Sequence, residues 1–142
     1  MVQDQQVDAD AVRVLVVDDQ DPFRNAARAV VDRMKGFDVI GEAESGEDAV
    51  ALAAELLPDL VLMDINMGEM DGVEATRRIV AANPAVMVVL LSTYDLADLP
   101  PEARTSGAVA YVPKDDFGGR IIRALCTNSG ADDYRLTGGS HR

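Results

Sequence analysis

Short apolar runs alternate along the chain with longer stretches in which apolar residues recur every three or four positions. The short runs are rich in Val, Leu and Ile, which is typical of strands, whereas the longer stretches have the spacing of amphipathic helices. The five predicted strands are 12–17, 37–43, 59–64, 85–91 and 109–112. A predicted helix follows each strand, and this alternation indicates an α/β fold: a parallel sheet with helices on both faces and right-handed crossovers.

Local signals mark the starts of several predicted helices. Asp21 is suited to the N-cap of the first helix, with Pro22 at the first helical position. Ser45 and Asp48 resemble a capping box at the start of the second helix. Asp71-Gly72 begins the third. These signals support the predicted alternation independently of the apolar spacing.

The length of 142 residues suits one folded domain with a flexible tail at each end. Residues 1–11 are polar and residues 127–142 are glycine-rich, so we expect the domain to span residues 12–126. The chain has 13 basic and 25 acidic residues and a net charge of -12, which argues against direct binding of nucleic acid or an anionic membrane. The end of the chain is too short and glycine-rich for a helix-turn-helix, so we expect either a stand-alone domain or one separated from its effector.

Three features favour a cytoplasmic protein. The single cysteine, Cys126, allows no internal disulfide and suits a reducing compartment. The longest apolar run, Ala85–Leu91, is far shorter than the roughly 20 residues of a membrane-spanning helix. The start of the chain lacks the basic and apolar regions of a signal peptide. The only histidine, His141, lies in the predicted tail and is not expected to be catalytic.

Polar side chains follow four of the five predicted strands. Asp18 and Asp19 follow the first strand, Asp64 ends the third, Ser92 follows the fourth and Lys114 follows the fifth. The carboxyl ends of parallel strands share one edge of an open sheet, and ligands bind at that edge. A single Asp after a strand is most often a turn or capping residue. Five polar groups at one edge instead indicate a common site.

The grouping of three carboxylates predicts a divalent cation, because the carboxylates would otherwise repel one another and resist full ionisation. Oxygen ligands suit Mg2+, and the sequence has no Cys/His cluster for zinc. A carboxylate beside such an ion, such as Asp64, can attack phosphorus and form an aspartyl phosphate. Lys114 would then offset charge on the phosphoryl oxygens, and the Ser92 hydroxyl would hydrogen-bond to one of them.

Taken together, these residues resemble the receiver domain of bacterial two-component response regulators. The resemblance covers about residues 12–126. The motifs that carry it, in order and spacing, are Asp18-Asp19, Asp64, Met67, Asp71-Gly72, Ser92-Thr93, Tyr111 and Lys114. The resemblance implies a flavodoxin-like, doubly wound five-stranded parallel sheet with strand order 2-1-3-4-5.

The resemblance also implies a role for each residue at the strand ends. Asp64 would accept a phosphoryl group from a sensor histidine kinase or a phosphotransfer protein. Mg2+ would be held by Asp18, Asp19, Asp64 and the main-chain carbonyl of Asn66. Lys114 would pair with the phosphoryl group. The chain would be a signalling phosphoacceptor that assists its own phosphorylation and dephosphorylation, and not an enzyme in the usual sense.

By the same resemblance, Ser92 and Tyr111 would form the switch that responds to phosphorylation. Ser92 would reposition and Tyr111 would turn inward, which would change the face made by the fourth helix, the fifth strand and the fifth helix. We expect this face to contact a downstream protein target, and a homodimer through it is a further expectation. Without the resemblance, Tyr111 would be interpreted as ordinary strand packing. Tyr94 is a candidate to hinder the water that hydrolyses the phosphoryl group.

Three positions depart from the family pattern. Gly68 stands where proline is common, and glycine is expected to loosen the active-site loop. Lys114 is preceded by Pro113, whereas many members have Lys-Pro with a cis bond. Pro100-Pro101 predicts a short fourth helix that ends near Ser106, because proline fits only the first turn of a helix. This last departure bears on recognition of the kinase and of the output target.

Two other functions fit parts of the pattern. An aspartate-nucleophile phosphatase on a related scaffold would typically carry a second Asp two residues after Asp64, where this chain has Asn66. A pseudo-receiver would bind a partner without phosphoryl chemistry, although the acidic, hydroxyl and basic positions are all present here. Steady turnover of a phosphate ester would favour the phosphatase. Failure to bind Mg2+ or beryllofluoride would favour the pseudo-receiver.

Overall fold

The computed structural model describes residues 11–136, and residues 1–10 and 137–142, including His141, lie outside this range. The predicted alternation of strands and helices is confirmed. The elements are β1 (Val12–Val17), α1 (Asp21–Asp32), β2 (Phe37–Ala43), α2 (Gly46–Leu56), β3 (Leu60–Asp64), α3 (Gly72–Ala82), β4 (Met87–Ser92), α4 (Pro101–Arg104), β5 (Ala110–Pro113) and α5 (Gly119–Thr127). Short 3-10 turns lie at Leu96–Asp98, Lys114–Asp116 and Asp132–Tyr134.

The five strands form one parallel sheet in the order β2-β1-β3-β4-β5, as the resemblance implied. β3 is central and pairs with β1 on one side and β4 on the other. All of its residues are buried. The strand that carries Asp64 is therefore enclosed on both faces and along both edges.

Helices cover both faces of the sheet and form two apolar clusters with it. α1 and α5 pack on one face, and α2, α3 and α4 pack on the other. Side chains of β3 alternate between the two clusters: Leu60 and Leu62 point to the first, and Val61 and Met63 point to the second. This alternation follows from the two-residue period of a strand. The predicted helices on both faces are confirmed.

The capping signals in the sequence correspond to hydrogen bonds in the structure. The Ser45 side chain accepts from the main-chain N–H of Asp48 at 3.1 Å, and the Asp71 side chain accepts from that of Glu74 at 2.9 Å. Asp21, the predicted N-cap of α1, is instead the first helical residue, and Gln20 occupies the N-cap position. Within residues 11–136, no helix is long and apolar enough to cross a membrane.

α4 is a single turn, Pro101–Arg104, so the double proline predicted its shortness correctly. It ends before Ser106, the predicted last residue. No peptide bond within residues 11–136 is cis, and this includes the bonds on both sides of Pro113. Gly68 has a φ of 39°. A glycine reaches this left-handed conformation without the steric cost that a proline, with its fixed negative φ, would meet.

The described part of the segment after α5, within the tail predicted over residues 127–142, makes contacts with β5. Leu136 donates its main-chain N–H to the carbonyl oxygen of Val109 at 2.9 Å, and Arg135 forms an antiparallel bridge with Ala110. β5 is the outermost strand, so residues 131–136 lie along its free edge. Glycine content indicates local freedom and does not reveal such hydrogen bonds, and the flexibility of this tail stays a prediction.

Candidate functional site

The carboxyl ends of β1, β3 and β5 bring the predicted acidic and basic side chains together. The carboxylates of Asp18, Asp19 and Asp64 each offer an oxygen within 4.8 Å of the others. The Lys114 Nζ lies 2.8 Å from Asp18 Oδ2 and 3.6 Å from Asp64 Oδ1. Parallel topology therefore assembles one charged cluster from residues that are far apart in the sequence.

The main chain around Asp64 is held by neighbouring strands and by the start of α3. Ile65 donates its N–H to the carbonyl oxygen of Leu91 at 3.0 Å, and its own carbonyl accepts from Gly72 at 2.8 Å. A Cβ at position 72 would lie 2.0 Å from the carbonyl oxygen of Asp64. Only glycine lets α3 begin this close to the strand end, so Asp64 has little freedom to move.

The loop that carries Asp18 is tied to α1 and β2 through Arg24. Asp18 Oδ1 accepts the main-chain N–H of Gln20 at 2.7 Å. Arg24 Nη1 donates to the main-chain oxygen of Asp18 at 2.7 Å, and its Nε donates to Glu42 Oε1 at 3.2 Å. Arg24 was not among the residues predicted from the sequence. The only signal for it was its i, i+3 spacing from Asp21, with which it also pairs.

Without a cation, the surroundings of Asp64 make its carboxyl group harder to ionise than an exposed one. Burial, followed by the charge of Asp18, raises the pKa of Asp64 from 3.8 to about 6. The Lys114 ammonium and a hydrogen bond from the main chain of Asn66 act in the opposite direction. A cation at the cluster would favour the ionised carboxylate, which is the nucleophilic form.

The donor set suits a hard divalent cation. All three candidate ligands are carboxylates, and Asp19 is exposed to solvent whereas Asp18 and Asp64 are buried. Asp18 Oδ2 is buried, and the group that meets its charge is the Lys114 ammonium, with Nζ at 2.8 Å. Such a buried oxygen is favourably placed to bind a cation. Mg2+ binds through one or two carboxylates and keeps several waters, so the residues present fit this ion.

Ser92 lies at the end of β4 and is buried. Its Oγ accepts a hydrogen bond from Asn66 Nδ2 at 3.3 Å, which links the loops after β3 and β4. This hydrogen bond uses the side chain of Asn66 and does not involve its main-chain carbonyl oxygen. Coordination of a metal by the Asn66 carbonyl stays a prediction.

Tyr111 is fully buried, and its hydroxyl donates to the main-chain carbonyl oxygen of Tyr94. Burial raises the pKa of Tyr111 to about 12, so the hydroxyl stays a donor near neutral pH. The ring already lies inward in this structure, and a movement on phosphorylation stays a prediction. The sequence did not indicate the Tyr94 partner, because a main-chain acceptor leaves no trace in residue type.

An aromatic pair lies beside the Lys114 ammonium. The Lys114 Nζ is 4.4 Å from the ring centroid of Phe23. Phe23 in turn meets Phe117 edge to face, with 5.7 Å between the ring centroids and 61° between the ring planes. In the sequence, Phe23 is one of the apolar positions of the first helix and carries no other signal. Its contact with the charged cluster was therefore missed.

Comparison with known proteins identifies a family and relatives that are similar to this chain in sequence. Residues 14–125 match the family model described as the response regulator receiver domain. Response regulator GacA of Pseudomonas aeruginosa is 38% identical over 114 residues, which are 80% of this chain and 53% of that protein. The uncharacterized transcriptional regulatory protein YxjL of Bacillus subtilis is 37% identical over 116 residues, 82% of this chain and 53% of that protein. The chain thus spans about half the length of these curated relatives.

Solved structures resemble the chain over most of its length. The signal receiver domain of NarL from Mycobacterium tuberculosis matches with a TM-score of 0.76 and 29% identity, covering 84% of this chain and 97% of that one. The response regulator domain of CheB from Thermotoga maritima matches with a TM-score of 0.67 and 30% identity, covering 83% and 90%. Both likenesses support the flavodoxin-like fold predicted from the sequence.

Proposed function

Because this chain belongs to the response regulator receiver domain family, we propose that it accepts a phosphoryl group on Asp64. The donor would be a histidine of a sensor histidine kinase or of a phosphotransfer protein. The convergence of Asp18, Asp19 and Asp64 within 4.8 Å, beside the Lys114 ammonium, carries this proposal. An attacking carboxylate needs such compensation, because negative charge accumulates around it during transfer.

Mg2+ is the cofactor that this site would use. Asp18, Asp19 and Asp64, with the main-chain carbonyl of Asn66, would hold it. When bound, the ion would neutralise the carboxylates and stabilise the charge on the phosphoryl oxygens. The exposed Asp19 offers a ligand on the solvent side. Asp18 is oriented in advance by the N–H of Gln20.

Asp64 and Lys114 carry the transfer step in this proposal. A carboxylate oxygen of Asp64 forms a P–O bond as the P–N bond of the donor phosphohistidine breaks, and the leaving imidazole nitrogen keeps the electron pair. Lys114 exchanges its contact with Asp18 for a contact with a phosphoryl oxygen. Hydrolysis later restores Asp64, and the exposed Tyr94 would hinder the attacking water.

Ser92 and Tyr111 would convert the added charge into a change of surface. The Ser92 hydroxyl would leave Asn66 and bond to a phosphoryl oxygen. The bond between Tyr111 and the Tyr94 carbonyl would pass this change to the face made by α4, β5 and α5. A downstream protein target, or a second copy of this chain, would bind that face. Residues 131–136, which lie along the edge of β5, would have to be accommodated or displaced.

The chain would work in the cytoplasm and act through protein contacts. Its net charge of -12 opposes direct contact with a nucleic acid backbone. Relatives such as YxjL are described as transcriptional regulatory proteins and are about twice as long as this chain. An effect on transcription would therefore pass through another domain or another protein.

Incubation with acetyl phosphate and Mg2+ tests the assignment of Asp64. Mass spectrometry of the intact protein should detect one phosphoryl increment on the wild-type chain and none on Asp64→Asn. Asp38→Asn is the matched control, because it makes the same chemical change at an exposed position of β2. An increment that persists in Asp64→Asn would remove Asp64 from its role.

Two other experimental outcomes would each favour a different function. Repeated turnover of a phosphate ester by the wild-type chain would favour an aspartate-nucleophile phosphatase. A chain that binds neither Mg2+ nor beryllofluoride would be a pseudo-receiver that acts only as an interaction module.

A further inference from the structure

The Lys114 ammonium is held by groups from three different elements. Its Nζ lies 2.8 Å from Asp18 Oδ2, 3.6 Å from Asp64 Oδ1 and 4.4 Å from the centroid of the Phe23 ring. The Lys114 side chain is 16% exposed. The two carboxylates attract it by charge, and Phe23 offers the electron-rich face of its ring. Lys114 is therefore confined at the crevice, although its side chain is long and flexible.

The ring of Phe23 is oriented by the same turn that carries Lys114. The main-chain N–H of Phe117 donates to the carbonyl oxygen of Lys114 at 3.2 Å, which closes the turn after β5. This turn places the Phe117 ring edge to face with Phe23, at 61° between the planes. The Phe23 ring on α1 therefore contacts both the Phe117 ring and the Lys114 ammonium, which belong to one short segment. The contact joins α1 to the end of β5.

We propose that Phe23 is a positioning residue that keeps the Lys114 ammonium in the crevice during phosphoryl transfer. The inference rests on the proposed function. In that reaction Asp18 and Asp64 would bind the cation and the phosphoryl group, so they would no longer hold Lys114 as they do here. The aromatic face is unchanged by the reaction and remains in contact with the ammonium. Without it, Lys114 gains the rotamer freedom of an exposed lysine.

Nuclear magnetic resonance of the lysine side chains tests the contact directly. The chain has two lysines, Lys35 and Lys114, and Lys35 is exposed, so each gives a signal that is easily assigned. The Cε protons of Lys114 should be shielded by the Phe23 ring relative to those of Lys35. Phe23→Leu keeps apolar bulk but removes the ring, and should bring the Lys114 signal close to that of Lys35. Phe23→Tyr keeps the aromatic face and should preserve the shielding.

The rate of phosphorylation by acetyl phosphate in saturating Mg2+ tests the consequence. Phe23→Leu should slow it about three- to tenfold, whereas Phe23→Tyr should stay within about twofold of wild type. Phe37→Leu is the matched control, because the Phe37 ring also carries a cation, with the Arg123 guanidinium 5.1 Å from its centroid. Phe37 begins β2, at the opposite edge of the sheet from the crevice, and its replacement should leave the rate unchanged.

The two measurements separate positioning from general packing. A slower Phe23→Leu protein with an unshifted Lys114 signal would overturn the proposal, and so would a wild-type rate in that variant. An equal slowing in Phe37→Leu would also overturn it. If the wild-type chain takes up no phosphoryl group, the proposed function fails, and the role in transfer falls with it. The lysine signals would still show whether Phe23 contacts Lys114.

Discussion

The hydroxyl group of Tyr111 donates a hydrogen bond to the main-chain carbonyl oxygen of Tyr94. Tyr111 is buried within β5, whereas Tyr94 is exposed in the loop that follows β4. The bond ties the edge strand of the sheet to a loop that begins just beyond Ser92. Any displacement of this loop away from β5 must break or move that bond.

We expect Tyr111→Phe to lower the free energy of unfolding by about 1 kcal/mol, because the Tyr94 carbonyl loses its donor. Amide hydrogen exchange in the loop after β4 should become faster. Tyr134→Phe is the control, since the Tyr134 hydroxyl donates to the exposed carboxylate of Asp116 at 3.0 Å. Its loss should cost no more than about 0.5 kcal/mol. Equal losses in the two variants would contradict a special role for the Tyr111 bond.

The metal-free protein should lose stability as the pH rises through about 6, the raised pKa of Asp64. The unfolded chain has an ordinary carboxyl pKa near 4, so the folded state binds the proton more tightly. The resulting stabilisation is complete below about pH 4 and is lost as the pH rises through the folded pKa. A shift of about two pKa units corresponds to roughly 3 kcal/mol.

Denaturant unfolding of Asp64→Asn against wild type checks this pH dependence. In the absence of Mg2+, the variant should be more stable than wild type near neutral pH, because Asn carries no charge to bury. The difference should shrink as the pH falls below about 6 and level off below about pH 4, where the wild-type carboxyl becomes protonated in the unfolded state as well. A difference that stays constant across this range would rule out the raised pKa.

The segment 131–136 should protect the edge of β5. Truncation after Gly130 removes the hydrogen bond from Leu136 to Val109 and those from Arg135 to main-chain carbonyls. We expect this truncation to lower the free energy of unfolding by about 1 to 3 kcal/mol and to promote self-association, since an uncovered edge strand can pair with another chain.

Truncation after Leu136 is the control for this prediction, because it keeps every one of these contacts. Denaturant unfolding and sedimentation velocity report stability and association for both truncated chains. A fully stable monomer after the shorter truncation would show that the segment does not protect the edge.

Gly72→Ala should destabilise the protein by roughly 2 to 3 kcal/mol, because the new Cβ would lie 2.0 Å from the carbonyl oxygen of Asp64. Gly118→Ala provides the comparison. No atom lies within 4 Å of a Cβ at that position, and its φ of -176° suits any residue. We expect a loss of at most about 1 kcal/mol there, since Ala is a poorer N-cap than Gly. Thermal denaturation should separate the two variants clearly.

The strand ends were predictable because each site residue stands at or just after an apolar run. Parallel topology then brings Asp18, Asp64 and Lys114 to one edge without further information. The caps at Ser45 and Asp71 were predictable for a different reason: each closes a hydrogen bond within four residues, so the signal is local. Order and type of the elements followed from these two kinds of pattern.

Contacts made by loops and chain ends were not predictable in the same way. Phe23 has the spacing of an ordinary apolar helix position, and only the placement of α1 against the turn after β5 brings it over Lys114. Arg24 reaches the main chain of Asp18, and a main-chain acceptor has no signature in the sequence. The return of Leu136 to Val109 likewise depends on tertiary packing and not on composition.

Gly72 places the first turn of α3 directly against the carbonyl of Asp64, whereas β4 continues beyond the buried Ser92 into an exposed loop that carries Tyr94. Packing therefore constrains the side of the crevice at Asp64 more than the side formed by Ser92 and the loop after it. A phosphoryl group on Asp64 would attract the Ser92 side of the crevice toward itself. We expect this asymmetry, which exists before any modification, to direct the response to phosphorylation. Displacement should spread from Ser92 toward the outer strand β5 and leave α3 in place.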